Sequence, residues 1–340
     1  MSSLPPGRTF HFISGLPRAG TTLTAAILRQ NPRFHAGMSS PVASLFDNVI
    51  AQVSAGSELS TMVNEAQRAR ILRGLFDAYY ADLPQPVIFD TNRAWTAKLP
   101  ALMRLFPDAK VICCVRDVAW VMDSLERQYR NNAFEHTRLF NNPAERATVY
   151  TRVKALAHAN RLVGFAWHAT REACYSEFAE RVLILEYDLL AARPGEVFKL
   201  VYEHLGEKPF RHDFDKLEYD APAFDAQLGL DGLHRVRPQV KPQQRRTIPA
   251  AGPVRPLRAA VILARSQGLE GVPHRYAGRC REAARHHAGV GAGDCARGRK
   301  LTSPAGRRSC ARSIQQLLNR SVIFSTALRT MIARSVASMK

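Results

Sequence analysis

Apolar residues in the first 248 positions alternate between short continuous runs and longer runs with helical spacing. The short runs predict strands at residues 9–14, 87–89, 111–115 and 182–185. Helical spacing predicts helices at residues 21–30, 67–80, 98–106, 118–129 and 195–205, and one or two long helices within residues 146–178. Because apolar strands separated by helices are typical of a parallel sheet covered on both faces, the predicted fold class is α/β.

The composition changes abruptly after residue 248. Residues 249–340 hold 17 Lys and Arg but only three acidic residues, and only two of the 28 aromatic residues, Tyr276 and Phe324. Such a segment buries little apolar surface, so we expect one domain at residues 1–248 and a disordered, Arg- and Ala-rich tail at residues 249–340. The abrupt change favours a frame-shifted or non-native C-terminus. A basic arm that binds polyanions and a terminal amphipathic helix are the alternatives.

The overall charge of +19 does not assign a partner to the main domain, because most of the excess falls in the tail. We expect no specific nucleic-acid partner. No apolar run approaches the ~20 residues of a membrane span, and the N-terminus lacks the features of a signal peptide. The six cysteines form no C-x-x-C pair, which predicts no metal site. A cytoplasmic protein is expected, and its oligomeric state is left open.

A glycine-rich turn joins the first predicted strand to the first helix. Gly15 and Gly20 have the spacing of a phosphate loop, G-x-x-x-x-G-K-[ST], but Thr21 replaces the lysine and Arg18 adds a cation within the loop. The backbone N–H groups of such a turn and the helix dipole together bind an anion. The missing lysine predicts a ligand with one phosphate in the loop and no magnesium–triphosphate unit beyond it.

An arginine follows the all-apolar strand at residues 111–115. Ser124 lies eight residues after Arg116, about two helical turns along, so both side chains can face one ligand. The planar guanidinium donates paired hydrogen bonds to a phosphate, and the hydroxyl adds a neutral donor. This second motif predicts a second anion site, separate from the loop.

The stretch GLPRAGTTL resembles the loop of sulfotransferases that bind 3′-phosphoadenosine 5′-phosphosulfate (PAPS), and the resemblance covers roughly residues 9–248. It implies a P-loop-type sheet and transfer of a sulfuryl group from PAPS to a hydroxyl or amine acceptor. The likeness is to bacterial enzymes and, more distantly, to the tyrosylprotein sulfotransferases. It implies that Arg116 and Ser124 bind the ribose phosphate. The loop residues implied in donor binding are Gly15, Pro17, Arg18, Ala19, Gly20, Thr21 and Thr22.

Two further segments resemble the family less closely. ILEYDLL is similar to the family's tyrosine-bearing segment, which implies that Tyr187 contacts the adenosine. HRVRPQVKPQQRRTI is rich in cations where many sulfotransferases fold a basic segment over the donor, which implies that Arg245 and Arg246 contact PAPS.

The general base is the least specified part of the site. Met38 stands where the tyrosylprotein branch has a glutamate, and Asp90-Thr91-Asn92-Arg93 stands where the cytosolic branch has a lysine and a histidine. Asp90 is the first candidate for the base and His35 the second, while Arg18 is the candidate that stabilises the leaving phosphate. The acceptor is left open among small alcohols, phenols, sugars and peptides.

Three other functions compete with sulfuryl transfer. A catalytically impaired protein that still binds PAPS is one, because the sequence changes so sharply after residue 248. A nucleotide kinase is disfavoured, since Thr21 occupies the position of the lysine. A polyanion-binding protein driven by the basic tail is the third.

Overall fold

The fold is seen in a computed structural model that describes residues 8–131, 139–229 and 231–242. The strands of this part are β1 (Thr9–Gly15), β2 (Phe34–Ser39), β3 (Val87–Thr91), β4 (Val111–Val115) and β5 (Val182–Glu186). Its helices are α1 (Thr21–Leu28), α2 (Val42–Val53), α3 (Glu65–Tyr79), α4 (Leu99–Leu105), α5 (Val118–Asn131), α6 (Pro143–Arg146), α7 (Val149–Ala157), α8 (Leu162–Tyr175), α9 (Tyr187–Ala192), α10 (Pro194–Leu205) and α11 (Pro222–Gln227). The predicted tail and the candidates Arg245 and Arg246 lie outside the described residues.

The five strands form one parallel sheet in the order β2-β3-β1-β4-β5, which confirms the predicted α/β fold. Strand β1 is central: β3 and then β2 lie on one side of it, and β4 and then β5 lie on the other. The change of direction lies between β1 and β4. Ligands of open parallel sheets bind at the carboxyl ends of the strands at such a point, and both anion motifs follow those two strands.

Both faces of the sheet are buried, which explains the continuous apolar runs of the strands. In β1, Phe12 belongs to the core on one face and Ile13 to the core on the other. In β4, Cys113 belongs to the core on one face and Cys114 to the core on the other, and both are fully buried free cysteines. The strands therefore form a rigid base beneath the loops at their carboxyl ends.

The edge strand β2 and the helix α2 were not predicted from the sequence. Residues 34–39 read FHAGMS and contain no β-branched residue. Their extended backbone is supported by pairing with β3, which a single-sequence pattern does not contain. The long pattern at residues 146–178 forms two helices, α7 and α8, rather than one.

Two histidines lie at the edge of the sheet opposite the anion motifs, His11 buried and His204 half-buried. The Nδ1 atom of His11 accepts a hydrogen bond from the backbone N–H of Lys110 at 3.1 Å. The Nε2 atom of His204 lies 3.2 Å from the carbonyl oxygen of Arg181. Burial is the main cause that lowers the pKa of each imidazole to about 4; the charge of Lys110 contributes to both shifts, and that of His204 contributes to the shift of His11. Both rings are therefore neutral in the folded protein near pH 7.

The stability of the protein is expected to fall as the pH is lowered from about 6.5 to about 4. In this window the unfolded chain binds protons at these histidines and the folded chain does not, so acid favours unfolding. Urea unfolding at pH 7 and pH 4.5 should differ by about 2 kcal/mol or more. His11→Asn keeps an acceptor for Lys110 but does not titrate, so it should make this dependence shallower while His204 still contributes, whereas exposed His168→Asn should leave the dependence unchanged. An equally steep loss in His11→Asn would contradict the assignment.

Candidate functional site

The loop between β1 and α1 has the backbone of an anion cradle. Gly15 and Gly20 have φ of 119° and 94°, and Arg18, with φ of 59°, is the sole non-glycine residue with positive φ in the described part of the chain. A Cβ atom at Gly15 would lie 2.0 Å from the carbonyl oxygen of Cys114, so the close approach of β1 and β4 requires glycine there. This backbone turns successive N–H groups toward one point, and the start of α1 adds partial positive charge.

The second motif holds its arginine between two aromatic rings. The guanidinium of Arg116 lies 3.9 Å from the ring centroid of Tyr187 and 4.9 Å from that of Trp120. Its Nε atom lies 3.8 Å from a carboxylate oxygen of Asp188, and the side chain is 8% exposed. Cation–π attraction to two rings favours this direction of the guanidinium.

The two motifs are in direct contact. The Nε atom of Arg18 donates a hydrogen bond to the Oγ atom of Ser124 at 3.0 Å, although the residues are 106 positions apart. Tyr187 forms a second link, because its ring stacks on Arg116 and also packs against Gly20, where a Cβ atom would lie 2.7 Å from Cδ2. Together these contacts make one site of the two motifs.

A cavity of about 940 Å³ opens at this site, at the carboxyl edge of the sheet. Its size suits a nucleotide. Ala19 is fully buried and does not line it. The predicted donor-binding residues that do line the cavity are Gly15, Pro17, Arg18, Gly20, Thr21, Thr22, Arg116, Ser124 and Tyr187.

The lining of the cavity is strongly cationic. Within the described ranges it contains no aspartate or glutamate. Arg161 is paired with Glu145 and Arg235 with Asp220, each through a single close contact. Such a lining suits a ligand that carries several negative charges. The cationic residues are Arg18, Arg93, Arg116, Arg161, Arg235, Arg237 and Lys241.

Asp90, the first candidate for the general base, does not line the cavity. Its carboxylate is fully buried and accepts hydrogen bonds from Ser40 Oγ at 2.6 Å, Tyr80 Oη at 2.7 Å and Trp95 Nε1 at 2.7 Å. Burial raises the pKa of this carboxyl group, and the three donors oppose that rise. The geometry therefore corrects the expectation: Asp90 joins β3 to the helices on one face of the sheet and is not placed to take a proton from a substrate.

His35, the second candidate, also lies away from the cavity. It is the second residue of β2 and pairs with Ile88, so it lies near the amino end of the strand rather than at its carboxyl edge. Its ring packs against Tyr80, with centroids 5.6 Å apart. Burial, assisted by the charge of Arg29, lowers the pKa of the imidazole. The sequence analysis did not predict β2, so it did not contain this position of His35.

Residues 233–241 form one wall of the cavity, which the sequence analysis identified only by its cations. Within this wall the Nδ1 atom of His234 lies 2.6 Å from Oδ1 of Asp225, and the backbone N–H of His234 donates to Oδ2 at 2.9 Å. Asp225 is fully buried and lies within α11. Neither residue was singled out, because a histidine and an aspartate nine positions apart in a turn-rich segment match no motif.

Within the described ranges no helix is long and apolar enough to cross a membrane. The same residues contain no group of three or more His, Cys, Asp or Glu side chains that could hold a metal ion.

A protein-family model described as the sulfotransferase family matches residues 11–211, more than half of the chain. The chain belongs to the sulfotransferase family. This confirms the prediction made from the two motifs, and the reaction of this sulfotransferase is transfer of a sulfuryl group to an acceptor. Members of the family typically take that group from PAPS.

Similar proteins include several solved sulfotransferase structures, while a search of the curated proteins finds no match. The sulfotransferase domain from the curacin biosynthetic pathway is 17% identical, with a TM-score of 0.39, covering 62% of this chain and 76% of that domain. A sulfotransferase from Alicyclobacillus acidocaldarius is 16% identical, with a TM-score of 0.40 and coverage of 65% and 89%. Retinol dehydratase, in complex with androsterone and the inactive cofactor PAP, is 13% identical, with a TM-score of 0.33 and coverage of 61% and 62%.

Proposed function

We propose that this sulfotransferase transfers the sulfuryl group of PAPS to a hydroxyl or amine acceptor. In this proposal the loop from Gly15 to Thr22 binds the 5′-phosphate, and Arg116 with Ser124 binds the 3′-phosphate. The observation that carries it is the hydrogen bond from Arg18 Nε to Ser124 Oγ at 3.0 Å, which joins the two motifs within one cavity.

The residues present fit this donor. PAPS carries a phosphate on the 3′-oxygen of its ribose and a phosphosulfate on the 5′-oxygen. The cavity offers Arg116 and the loop after β1 for these two groups, and the ring of Tyr187 contacts both. Phe165 also lines the cavity and offers an aromatic face for the adenine. The absence of carboxylates from the described lining removes the charge repulsion that such a donor would otherwise meet.

The loop residues and Arg18 would act mainly by electrostatic stabilisation of the transition state. Sulfuryl transfer resembles phosphoryl transfer, in which the bond to the leaving group is largely broken before the new bond forms. Negative charge then grows on the oxygen of the 5′-phosphate that bridges to sulfur. In this proposal the loop N–H groups and the guanidinium of Arg18 stabilise it, and the hydroxyls of Thr21 and Thr22, which also line the cavity, add donors.

The desulfated product, 3′-phosphoadenosine 5′-phosphate (PAP), is expected to bind about 10- to 100-fold more tightly than adenosine monophosphate, because hydrogen bonds between charged groups contribute about 1.5–3 kcal/mol. Arg116→Ala should abolish most of this difference, since monophosphate lacks the 3′ group. Isothermal titration calorimetry measures both affinities. Arg104→Ala, which changes an exposed arginine paired with Glu65 outside the cavity, is the matched control. Equal affinities for the two nucleotides in the wild type would contradict the proposal.

Turnover is the second test. The full-length protein is incubated with ³⁵S-labelled PAPS and a panel of a phenol, a primary alcohol, a saccharide and a tyrosine-containing peptide. Labelled product identifies the acceptor class, whereas binding of PAP without any product would indicate a protein that has kept the donor site and lost catalysis. We also propose a cytoplasmic location, with which the three free cysteines of the described residues, Cys113, Cys114 and Cys174, agree.

A further inference from the structure

We propose that His234, oriented by Asp225, is the general base that takes the proton of the acceptor. This inference rests on the proposed function, because it assigns a role within the same cavity.

The contact between the two residues fixes which ring nitrogen is free. Asp225 is fully buried, and its Oδ1 atom lies 2.6 Å from Nδ1 of His234. A carboxylate accepts hydrogen bonds, so the proton of the imidazole is held on Nδ1 and the lone pair lies on Nε2. The backbone N–H of His234 donates to the other carboxylate oxygen at 2.9 Å, which fixes the residue at two points. A nucleophile or base oriented by a third group in this way is the general arrangement of an activated side chain.

The position of His234 in the cavity agrees with this role. The preceding residue, Leu233, accepts a hydrogen bond through its carbonyl oxygen from Nη1 of Arg18 at 2.7 Å. Arg18 belongs to the loop proposed to hold the leaving phosphate, so His234 directly follows a residue that contacts this loop. Within the described lining it is the sole histidine, and no carboxylate accompanies it. Histidine is the side chain that most often serves as a general base.

The step can be written with every bond and proton assigned. An acceptor oxygen attacks the sulfur of PAPS, the oxygen–sulfur bond to the acceptor forms, and the bond from sulfur to the bridging phosphate oxygen breaks. The electron pair of the broken bond goes to the 5′-phosphate of PAP. The acceptor proton goes to Nε2 of His234, and the resulting imidazolium is stabilised by the Asp225 carboxylate until the proton passes to water.

The charged groups around the imidazole come from three parts of the chain. Asp225 belongs to α11, Arg235 is the next residue and is paired with Asp220, and Arg18 belongs to the loop after β1. The ring of Phe224 packs against that of His234, with centroids 5.4 Å apart. A purely structural role is the competing explanation, because the same contacts fasten residues 233–241 to α11.

His234→Asn separates the two roles. The asparagine side chain can place an N–H donor where Nδ1 lies and so keep the contact with Asp225, but it has no counterpart of Nε2. We expect kcat to fall by about 10² to 10⁴-fold, the usual contribution of a general base, while the affinity for PAP stays within about threefold of the wild type, as for charge-neutral changes away from the phosphates. The acid limb of the pH–rate profile should disappear. His234→Ala should regain activity when imidazole is added, and the exposed His168→Asn is the matched control.

The measurements use the full-length protein, ³⁵S-labelled PAPS and the acceptor that turns over in the panel, with calorimetry on PAP. A kcat of His234→Asn within about threefold of the wild type would overturn the inference and leave the proposed function intact. Joint loss of PAP binding and kcat in His234→Asn would assign His234 to fastening the wall, which also overturns it. A wild-type protein that binds no PAP, or transfers sulfate to none of the acceptors, would overturn the proposed function and the inference with it.

Discussion

Arg18→Ala is expected to lower kcat by about 10³-fold or more, the range found when a cation on the transferring group is removed. The guanidinium lies in the cavity and is held by Ser124 and the carbonyl of Leu233, so it faces the position proposed for the leaving phosphate. Charge on that phosphate grows in the transition state, and the loss should therefore fall on kcat more than on the affinity for PAP. Single-turnover assays with ³⁵S-labelled PAPS, together with calorimetry on PAP, separate the two effects.

The backbone of Arg18 supplies a control for this experiment. With φ of 59° the residue occupies the left-handed region, where any L-residue carries about 1–2 kcal/mol of strain and glycine does not. Arg18→Gly should therefore lose as much activity as Arg18→Ala, but it should unfold at a higher urea concentration than Arg18→Ala does. Arg18→Lys keeps the charge without the paired donors and should be intermediate. If all three variants turned over at the wild-type rate, Arg18 would have no part in the reaction.

Gly15→Ala is expected to destabilise the fold by about 4 kcal/mol or more, the range of the most severe single substitutions. The added methyl group would lie 2.0 Å from the carbonyl oxygen of Cys114 and 2.6 Å from its nitrogen, both of them backbone atoms of β4. Strands β1 and β4 would have to separate at Gly15, beside both anion motifs. Because whole domains are stable by only about 5–15 kcal/mol, a large unfolded fraction at 25 °C is expected. Urea unfolding followed by circular dichroism measures the change.

Gly74→Ala is the matched control for this substitution. Gly74 lies within α3, has no positive φ, and a Cβ atom there would meet no atom within 4 Å. The same change should therefore stabilise the protein by about 0.5–1 kcal/mol, the ordinary difference between alanine and glycine in a helix. Gly15→Ala with wild-type stability would contradict the close approach of the two strands.

The features predicted from the sequence are those that local patterns specify. Strand β4 is apolar throughout and β5 at all but its last residue, while β1 and β3 combine apolar residues with buried polar ones. Both faces of a parallel sheet are buried, which favours such strands. The loop at Gly15 and Gly20 was found since its backbone conformation needs glycine at two fixed positions. β2 was missed because its conformation depends on hydrogen bonds to β3, which lies some fifty residues away in the chain.

The proposed general base could not be predicted from local sequence patterns either, because its surroundings come from distant parts of the chain. Asp90 was chosen for its place after an apolar run, yet it is the fourth residue of β3 and shares a face with Ile88, which packs in the core. The alternation of strand residues contained this signal. His234 was passed over because its surroundings come from Asp225, Leu233 and Arg18, and only the folded chain brings the loop after β1 to that turn.

The ring of Tyr187, in contact with Gly20 on one side and Arg116 on the other, has a consequence for how the nucleotide is recognised. If Arg116 shifts toward the 3′-phosphate, the ring of Tyr187 shifts with it, and this ring packs against Gly20 at the start of α1. Binding of the 3′-phosphate therefore alters the loop that binds the 5′-phosphate. The binding free energy of the whole nucleotide should then differ from the sum of those of two fragments that carry only the 3′-phosphate or only the 5′-phosphate. Discrimination between nucleotides becomes a property of the whole ligand rather than of each phosphate alone.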